Sequence, residues 1–340
     1  MPIKLRKLHD QVIVITGATS GIGLSTARMA AERGARLVLA ARADDALDEL
    51  AHELKARGAE VVTVTADVGK IDDVERIGAA AIDRFGRIDT WVNNAGISNF
   101  GRIEDISPED HHRLFQTNFW GVVNGSLEAV KRMKLRGGGA LINLGSELAD
   151  HAIPLQGMYA ASKHAVKGFT DSLRMELEKE KAQLSVTLVK PAGIDTMFAA
   201  HAKNYMDREP KLPAPVYAPE IVADAILYAA QHPKRDVFVG GAAKMNSTGA
   251  RLLPRVFDKF LQATMFVNQK LDVDTDPSRR DALHKPDYTR ELRERQGSPH
   301  HVIEHSEYTA AALRSKYINA ALLGSGALLA AYVLTRRKTR

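Results

Sequence analysis

The stretch "TGATSGIG", Thr16 to Gly23, follows an apolar run and opens a helical pattern near Ile22. Glycines let a chain turn tightly and let backbone approach a pyrophosphate, and the free N–H groups of a helix start complement its charge. Thr16, Gly17, Ser20, Gly21, Ile22 and Gly23 are therefore candidate phosphate-binding residues. The spacing is Gly-x-x-x-Gly-x-Gly. At the end of the next apolar run, "LAARADD" offers Arg42, with no acid before Asp44. An acid there would hold the ribose hydroxyls of NAD, and a cation suits the 2′-phosphate of NADP. Arg42 thus favours NADP(H) over NAD(H), the alternative being a solvated surface cation.

A second group lies in "MYAASKHAV", where Tyr159 and Lys163 are four residues apart. That interval places a phenol and an ammonium on one helix face. Such a pair is common by chance, so its company decides its meaning. Ser146 stands thirteen residues earlier, at the end of "ALINLGS". In an open α/β sheet, ligands bind at the carboxyl ends of strands. Ser146, "NNAG" (93–96) and the glycine turn would all converge on that edge.

The elements that must position these residues are readable between Val12 and Gly241. Short apolar runs, "VIVIT", "RLVLAA", "VVTVTA", "TWVNNA", "ALINLG", "SVTLVK" and "DVFVGG", alternate with helical patterns such as "DDALDELAHELKARG". There Leu47, Leu50 and Leu54 recur at helical spacing and Gly58 supplies a stop. Strand and helix in alternation predict an α/β fold, a Rossmann-like doubly wound parallel sheet of about seven strands, with a C-terminal helical extension. The opening "MPIKLRKLHDQVIVITG" imitates a secretory signal, but its apolar run of four residues is shorter than the roughly 7–15 such a signal needs. We read it as a buried strand.

With these motifs in order and spacing, together with "PAGIDT" at 191–196, the sequence resembles the short-chain dehydrogenase/reductase family in its compact branch. The resemblance spans about residues 8–241. It implies a catalytic tetrad of Asn118, Ser146, Tyr159 and Lys163. Tyr159 would be the general acid of carbonyl reduction; Lys163 would lower its pKa and bind the nicotinamide ribose. Ser146 would hold the substrate oxygen and stabilise its developing charge. Asn118, in "LFQTNFWG", would position a water linking Lys163 to solvent. By the same resemblance Asp67 and Val68 flank the adenine and Asn94, Ala95 and Gly96 support the cofactor. Pro191, Gly193, Ile194 and Thr196 contact its nicotinamide end. "PAG" stands where the family more often has "PG". The implied activity is NADP(H)-dependent hydride transfer to or from a ketone, aldehyde or secondary alcohol. The alternative is a catalytically silent nucleotide-binding membrane scaffold.

Composition narrows the classes further. The 340 residues contain no cysteine, which excludes disulfides, thiolate metal sites and a cysteine nucleophile. The net charge of +6 is concentrated late, with 17 Lys and Arg against 10 Asp and Glu in residues 241–340. Those cations are interleaved with acids and lack a binding motif, so no nucleic-acid partner is expected. The pairs His111–His112 and His300–His301 have no second ligand set at metal spacing, so they read as surface histidines and no metal is expected.

Four segments follow: a catalytic domain over 8–246, an amphipathic helix over 247–271, a loosely structured polar connector over 272–310, and a hydrophobic helix with a basic tail over 311–340. In the second, Leu252, Leu253, Val256, Phe257, Phe260, Leu261 and Met265 would share one face and Arg251, Arg255 and Lys259 another. Residues 318–334 carry no charge and precede "RRKTR". As a helix they would be about 26 Å long, near the lower limit for crossing a hydrocarbon core of about 30 Å. Membrane association with a cytoplasmic catalytic domain is expected, a soluble cytoplasmic protein being the alternative. The resemblance also implies a homo-oligomer built through helices flanking the sheet.

Overall fold

The computed structural model describes residues 3–314. The seven apolar runs become seven strands: β1 (Val12–Thr16), β2 (Arg36–Ala41), β3 (Val61–Thr65), β4 (Thr90–Asn93), β5 (Gly139–Leu144), β6 (Leu184–Pro191) and β7 (Asp236–Val239). They form one parallel sheet in the order β3-β2-β1-β4-β5-β6-β7. Every residue of β1, β4, β5 and β6 is buried, as both faces of a parallel sheet covered by crossovers require. Each fully buried Val, Leu or Ile contributes about 1.5–3 kcal/mol, which makes these runs the foundation of the core.

The crossovers are α1 (Gly21–Glu32), α2 (Asp44–Ala56), α3 (Ile71–Phe85), α4 (Pro108–Phe115), α5 (Gly121–Lys134), α6 (Gly157–Lys179) and α7 (Pro219–Ala229). Their ends follow local chemistry. Ser107 caps α4 by accepting from the Asp110 N–H, with Pro108 in the first turn. Gly86 ends α3 at φ 74°, a left-handed conformation that suits glycine. The chain leaves the sheet in opposite directions on either side of β1 and β4, which opens a crevice at their carboxyl ends.

Beyond β7 the structure departs from expectation. The single amphipathic helix over 247–271 is two helices, α8 (Gly241–Leu252) and α9 (Pro254–Asn268). Pro254 has no N–H and its ring excludes the residue before it from helical angles; Leu253 lies at φ −134°, ψ 59°. The stretch 272–310 is also not loose. Lys270–Asp274 pairs antiparallel with Arg208–Pro210, and Val302–Ile303 pairs with Val216–Tyr217, which in turn pairs with Gly193–Ile194. Polarity misled here, because arginines and aspartates satisfy long-range partners: Arg279 bonds Glu209 and the carbonyls of Ala199, Ala200 and Ala202. A last helix, α10 (Glu307–Arg314), packs on β7. The 318–334 segment lies outside the described residues. Among those described, no helix is long and apolar enough to cross a membrane.

Candidate active site

The glycine turn is held by close approach. A Cβ on Gly23 would stand 2.0 Å from the Gly17 carbonyl oxygen, and one on Gly17, which has φ 66°, would stand 2.8 Å from Cα of Ala95. Only hydrogen fits at either position. Asn94 ties the turn to the end of β4: its Nδ2 donates to the carbonyls of Thr16 and Gly17, both at 3.0 Å. Thr16 Oγ1 accepts from the Asn94 N–H at 3.1 Å and the Ala95 N–H at 3.2 Å. The "NNAG" motif is thus a clamp on the turn, a role that sequence pattern did not disclose. Across the crevice, Thr196 lies against Gly21, while Gly193 and Ile194 are fixed by their pairing with Val216–Tyr217.

Tyr159 and Lys163 sit on the buried face of α6, together with Ser162, Val166 and Thr170. Ala161 and His164 are exposed, so the face that carries the chemistry is the one that enters the core. Tyr159 and Ser146 face the same cavity, and Ser146 Oγ accepts from the Leu148 N–H at 3.1 Å. Lys163 Nζ donates to the Leu144 carbonyl at 2.8 Å and lies 5.6 Å from the Tyr159 ring centroid. Phe198 packs edge-on against that ring at 5.1 Å. Asn118 is fully buried within a π turn, Gln116–Trp120, a helical distortion found often at functional sites. Its amide is held on both sides: Oδ1 accepts from the Ile97 N–H at 2.8 Å, and Nδ2 donates to the Ile97 carbonyl at 2.9 Å and to Ser162 Oγ at 3.3 Å.

Electrostatics sharpen the picture. Burial pushes the Tyr159 phenol above its ordinary value, outweighing the opposing influence of the Ser146 hydroxyl. The expected depression by the ammonium does not emerge from the chain alone, because Lys163 is itself buried and brought down to about 8. Two groups unmarked by sequence join the site. Glu147, next to Ser146, is pushed up to about 7 by burial, against a 2.8 Å hydrogen bond from Asn246. His151 is held down to about 4 by burial and stands edge-on to Phe257. Neither has a spacing signature, since both depend on walls contributed by α8 and α9.

These side chains share a cavity of about 750 Å³ lined by Gly17, Ser20, Gly21, Ile22, Asn94, Ala95, Gly96, Ser146, Tyr159, Lys163, Pro191, Gly193, Ile194 and Thr196. The close-fitting glycines and the helix N-terminus at Gly21 suit a pyrophosphate, and the Tyr159–Lys163 pair suits a nicotinamide ribose. Arg42, Asp67 and Val68 do not line it. Arg42 donates to the carbonyls of Ala282 and Leu283. Asp67 accepts from the Gly69 N–H and pairs with Arg113 at 2.8 Å, and Val68 is buried, its carbonyl taken by Asn124.

Residues 11–206 match the short chain dehydrogenase model, and the chain belongs to that family. It is an oxidoreductase of this type. The chain is 51% identical over 284 residues to the oxidoreductase YxnA of Bacillus subtilis, covering 83% of this chain and 80% of the relative. It is 36% identical over 243 residues to dehydrogenase/reductase SDR family member 7B of Bos taurus, covering 68% and 73%. Among solved structures, a Burkholderia phymatum short-chain dehydrogenase/reductase in complex with NAD is 26% identical with a TM-score of 0.68, covering 74% of this chain and 96% of that one. A Thermococcus sibiricus alcohol dehydrogenase complexed with 5-hydroxy-NADP is 29% identical with a TM-score of 0.59, covering 67% and 95%.

Proposed function

We propose that the protein is an NADP(H)-dependent oxidoreductase that reduces lipophilic ketones or aldehydes, or oxidises the matching alcohols. The observation that carries this reading is the convergence of Tyr159, Ser146 and Lys163 on the wall of a cavity that begins at the glycine turn. The nicotinamide supplies the hydride in reduction and accepts it in oxidation. Tyr159 Oη holds the proton that the carbonyl oxygen takes up, and burial keeps that proton in place until it is needed. Ser146 Oγ donates to the same oxygen and stabilises its growing charge. Lys163 holds the ribose and supplies positive charge behind the phenol, and Asn118 keeps the Ile97 backbone and the helix face in register, with a water leading from Lys163 to solvent. Thr16, Gly17, Ser20, Gly21, Ile22 and Gly23 hold the pyrophosphate, Arg42 the 2′-phosphate, and Asp67 and Val68 the adenine. Asn94, Ala95 and Gly96 support the cofactor, and Pro191, Gly193, Ile194 and Thr196 hold its nicotinamide end.

The substrate end of the cavity is apolar, built by Leu253, Val256, Phe257, Phe260, Leu261 and Met265. Three of these also face outward: Leu253, Val256 and Phe260, with the neighbouring Leu252, are more than half exposed, beside the exposed Arg251, Arg255 and Lys259. An apolar rim flanked by cations suits an anionic lipid surface and would open the cavity towards it. Trp120, Leu127 and Met175, exposed along the π turn, α5 and α6, supply a surface for a homo-oligomer.

The test is oxidation of NADPH and NADH by the full chain over short- and long-chain aldehydes and ketones, beside Tyr159→Phe. Turnover with NADPH favoured, and lost by about 10²–10⁴ in the variant, supports the reading. NADPH binding with no turnover of any carbonyl would replace it with the silent scaffold.

A further inference from the structure

The adenosine half of the proposed cofactor site is already in contact with the chain's own C-terminal extension. The Gly21 N–H, at the start of α1, donates to the Arg293 carbonyl at 3.0 Å, and the Leu292 N–H donates to the Thr19 carbonyl at 2.8 Å. Arg42 spends its guanidinium on the carbonyls of Ala282 and Leu283. Arg113, which pairs with Asp67, donates to the same Leu283 carbonyl at 3.0 Å. Leu283 is fully buried among these groups. The three positions assigned to the cofactor's phosphate, 2′-phosphate and adenine thus each carry a contact from residues 282–293 or from a side chain engaged with them.

One contact copies the chemistry of the ligand. The Leu292 N–H bond to the Thr19 carbonyl brings the preceding Glu291 carboxylate to the glycine turn, within the electrostatic reach of Arg42. An anion placed between that turn and a guanidinium is what a 2′-phosphate would present. The fit is incomplete: Glu291 Oε2 is buried without a hydrogen-bond partner, and Leu292 is held at φ 56°, a left-handed conformation unfavourable for leucine. The segment is bound to the site but not optimised for staying there.

We propose that residues 282–293 are an internal competitor for the dinucleotide, with Glu291 standing in for the 2′-phosphate of NADP(H), and that the cofactor enters by displacing them. The proposal rests on the cofactor reading above. Displacement costs the same free energy whichever nucleotide follows, so the strap lowers the apparent affinity for NADPH and NADH by one common factor. A lid that closed over the adenosine would behave in the opposite way, because Glu291 would then accept from the ribose hydroxyls of NADH and repel the phosphate of NADPH.

Amide hydrogen exchange on the full chain, with and without each nucleotide, separates these outcomes, together with dissociation constants for the wild type and Glu291→Gln. The expected result is protection of residues 17–23 by NADPH with faster exchange across 282–293, the Leu292 amide above all. Glu291→Gln is expected to tighten both nucleotides by a similar factor, about tenfold. Slower exchange across 282–293 on adding nucleotide, or a variant that weakens NADH while tightening NADPH, overturns the competitor. The exchange result stands on wild-type protein and does not depend on the variant folding. If neither nucleotide protects 17–23, the cofactor reading itself fails and the competitor falls with it. If NADH alone protects that turn, the NADP preference fails, and the direction of exchange at 282–293 still decides between competitor and lid.

Discussion

Lys163 Nζ donates to the Leu144 carbonyl at 2.8 Å, tying the ammonium on α6 to the last residue of β5, one position before the Gly145–Ser146 turn. Burial brings this ammonium down to about 8. It is charged below that pH and neutral above it. Reduction, which uses the positive charge behind the phenol, is therefore expected to lose kcat/KM as pH rises through about 8. Lys163→Met should remove that limb and lower kcat/KM by about 10²–10⁴ across the profile. A profile unchanged through pH 9 in the wild type would remove Lys163 from the proton chemistry.

Glu147 brings a second titration to the same pocket. Burial raises it to about 7, so it is neutral below that pH and a carboxylate above it. His151, held down to about 4, stays neutral through the same range and leaves that change uncompensated. The KM for an apolar ketone is expected to rise as pH passes upward through about 7, with kcat less affected. Glu147→Gln should flatten that rise, and steady-state kinetics from pH 5.5 to 8 would show it.

Gly23→Ala tests the turn itself. The added Cβ would meet the Gly17 carbonyl oxygen at 2.0 Å, and that atom is backbone, with no flexible end to yield. A loss of about 1–3 kcal/mol is expected, seen as a drop of several degrees in Tm, with nucleotide affinity falling alongside. Asn94→Ala should act on the same turn by a different route, removing the donors to Thr16 and Gly17 at about 0.5–1.5 kcal/mol for each bond.

The rim of the cavity gives a prediction about surfaces. Val256→Asp combined with Phe260→Asp places two charges where the apolar rim meets solvent. Co-sedimentation with anionic vesicles is expected to fall, and turnover of long-chain carbonyls is expected to fall further than that of a short soluble aldehyde. Equal losses on both substrates would locate the effect inside the pocket and not at a lipid surface.

The sheet, the glycine turn and the shared helix face of Tyr159 and Lys163 were legible because each is written locally: a four-residue run, a glycine spacing, a Tyr–Lys interval. The break at Leu253 was missed: Pro254 stands in the middle of the periodic stretch, but the apolar pattern on either side concealed it. The contacts of Arg42 were not legible either. Its partners lie 240 and 241 residues away and are backbone carbonyls, which every residue has, so no side-chain type marks them. Glu147 escaped for a related reason. A carboxylate becomes a perturbed one only when Asn246 and its neighbours on α8 close over it, and that burial belongs to tertiary structure.

The short pairing of Lys270–Asp274 with Arg208–Pro210 sews the extension to the loop after the tetrad, and Val302–Ile303 sews it again beside Gly193–Ile194. Inheritance of the two parts is thereby linked. A lineage that lengthened, shortened or exchanged its last hundred residues would change the shape offered to substrate as well, so the extension cannot be traded among relatives as an independent module.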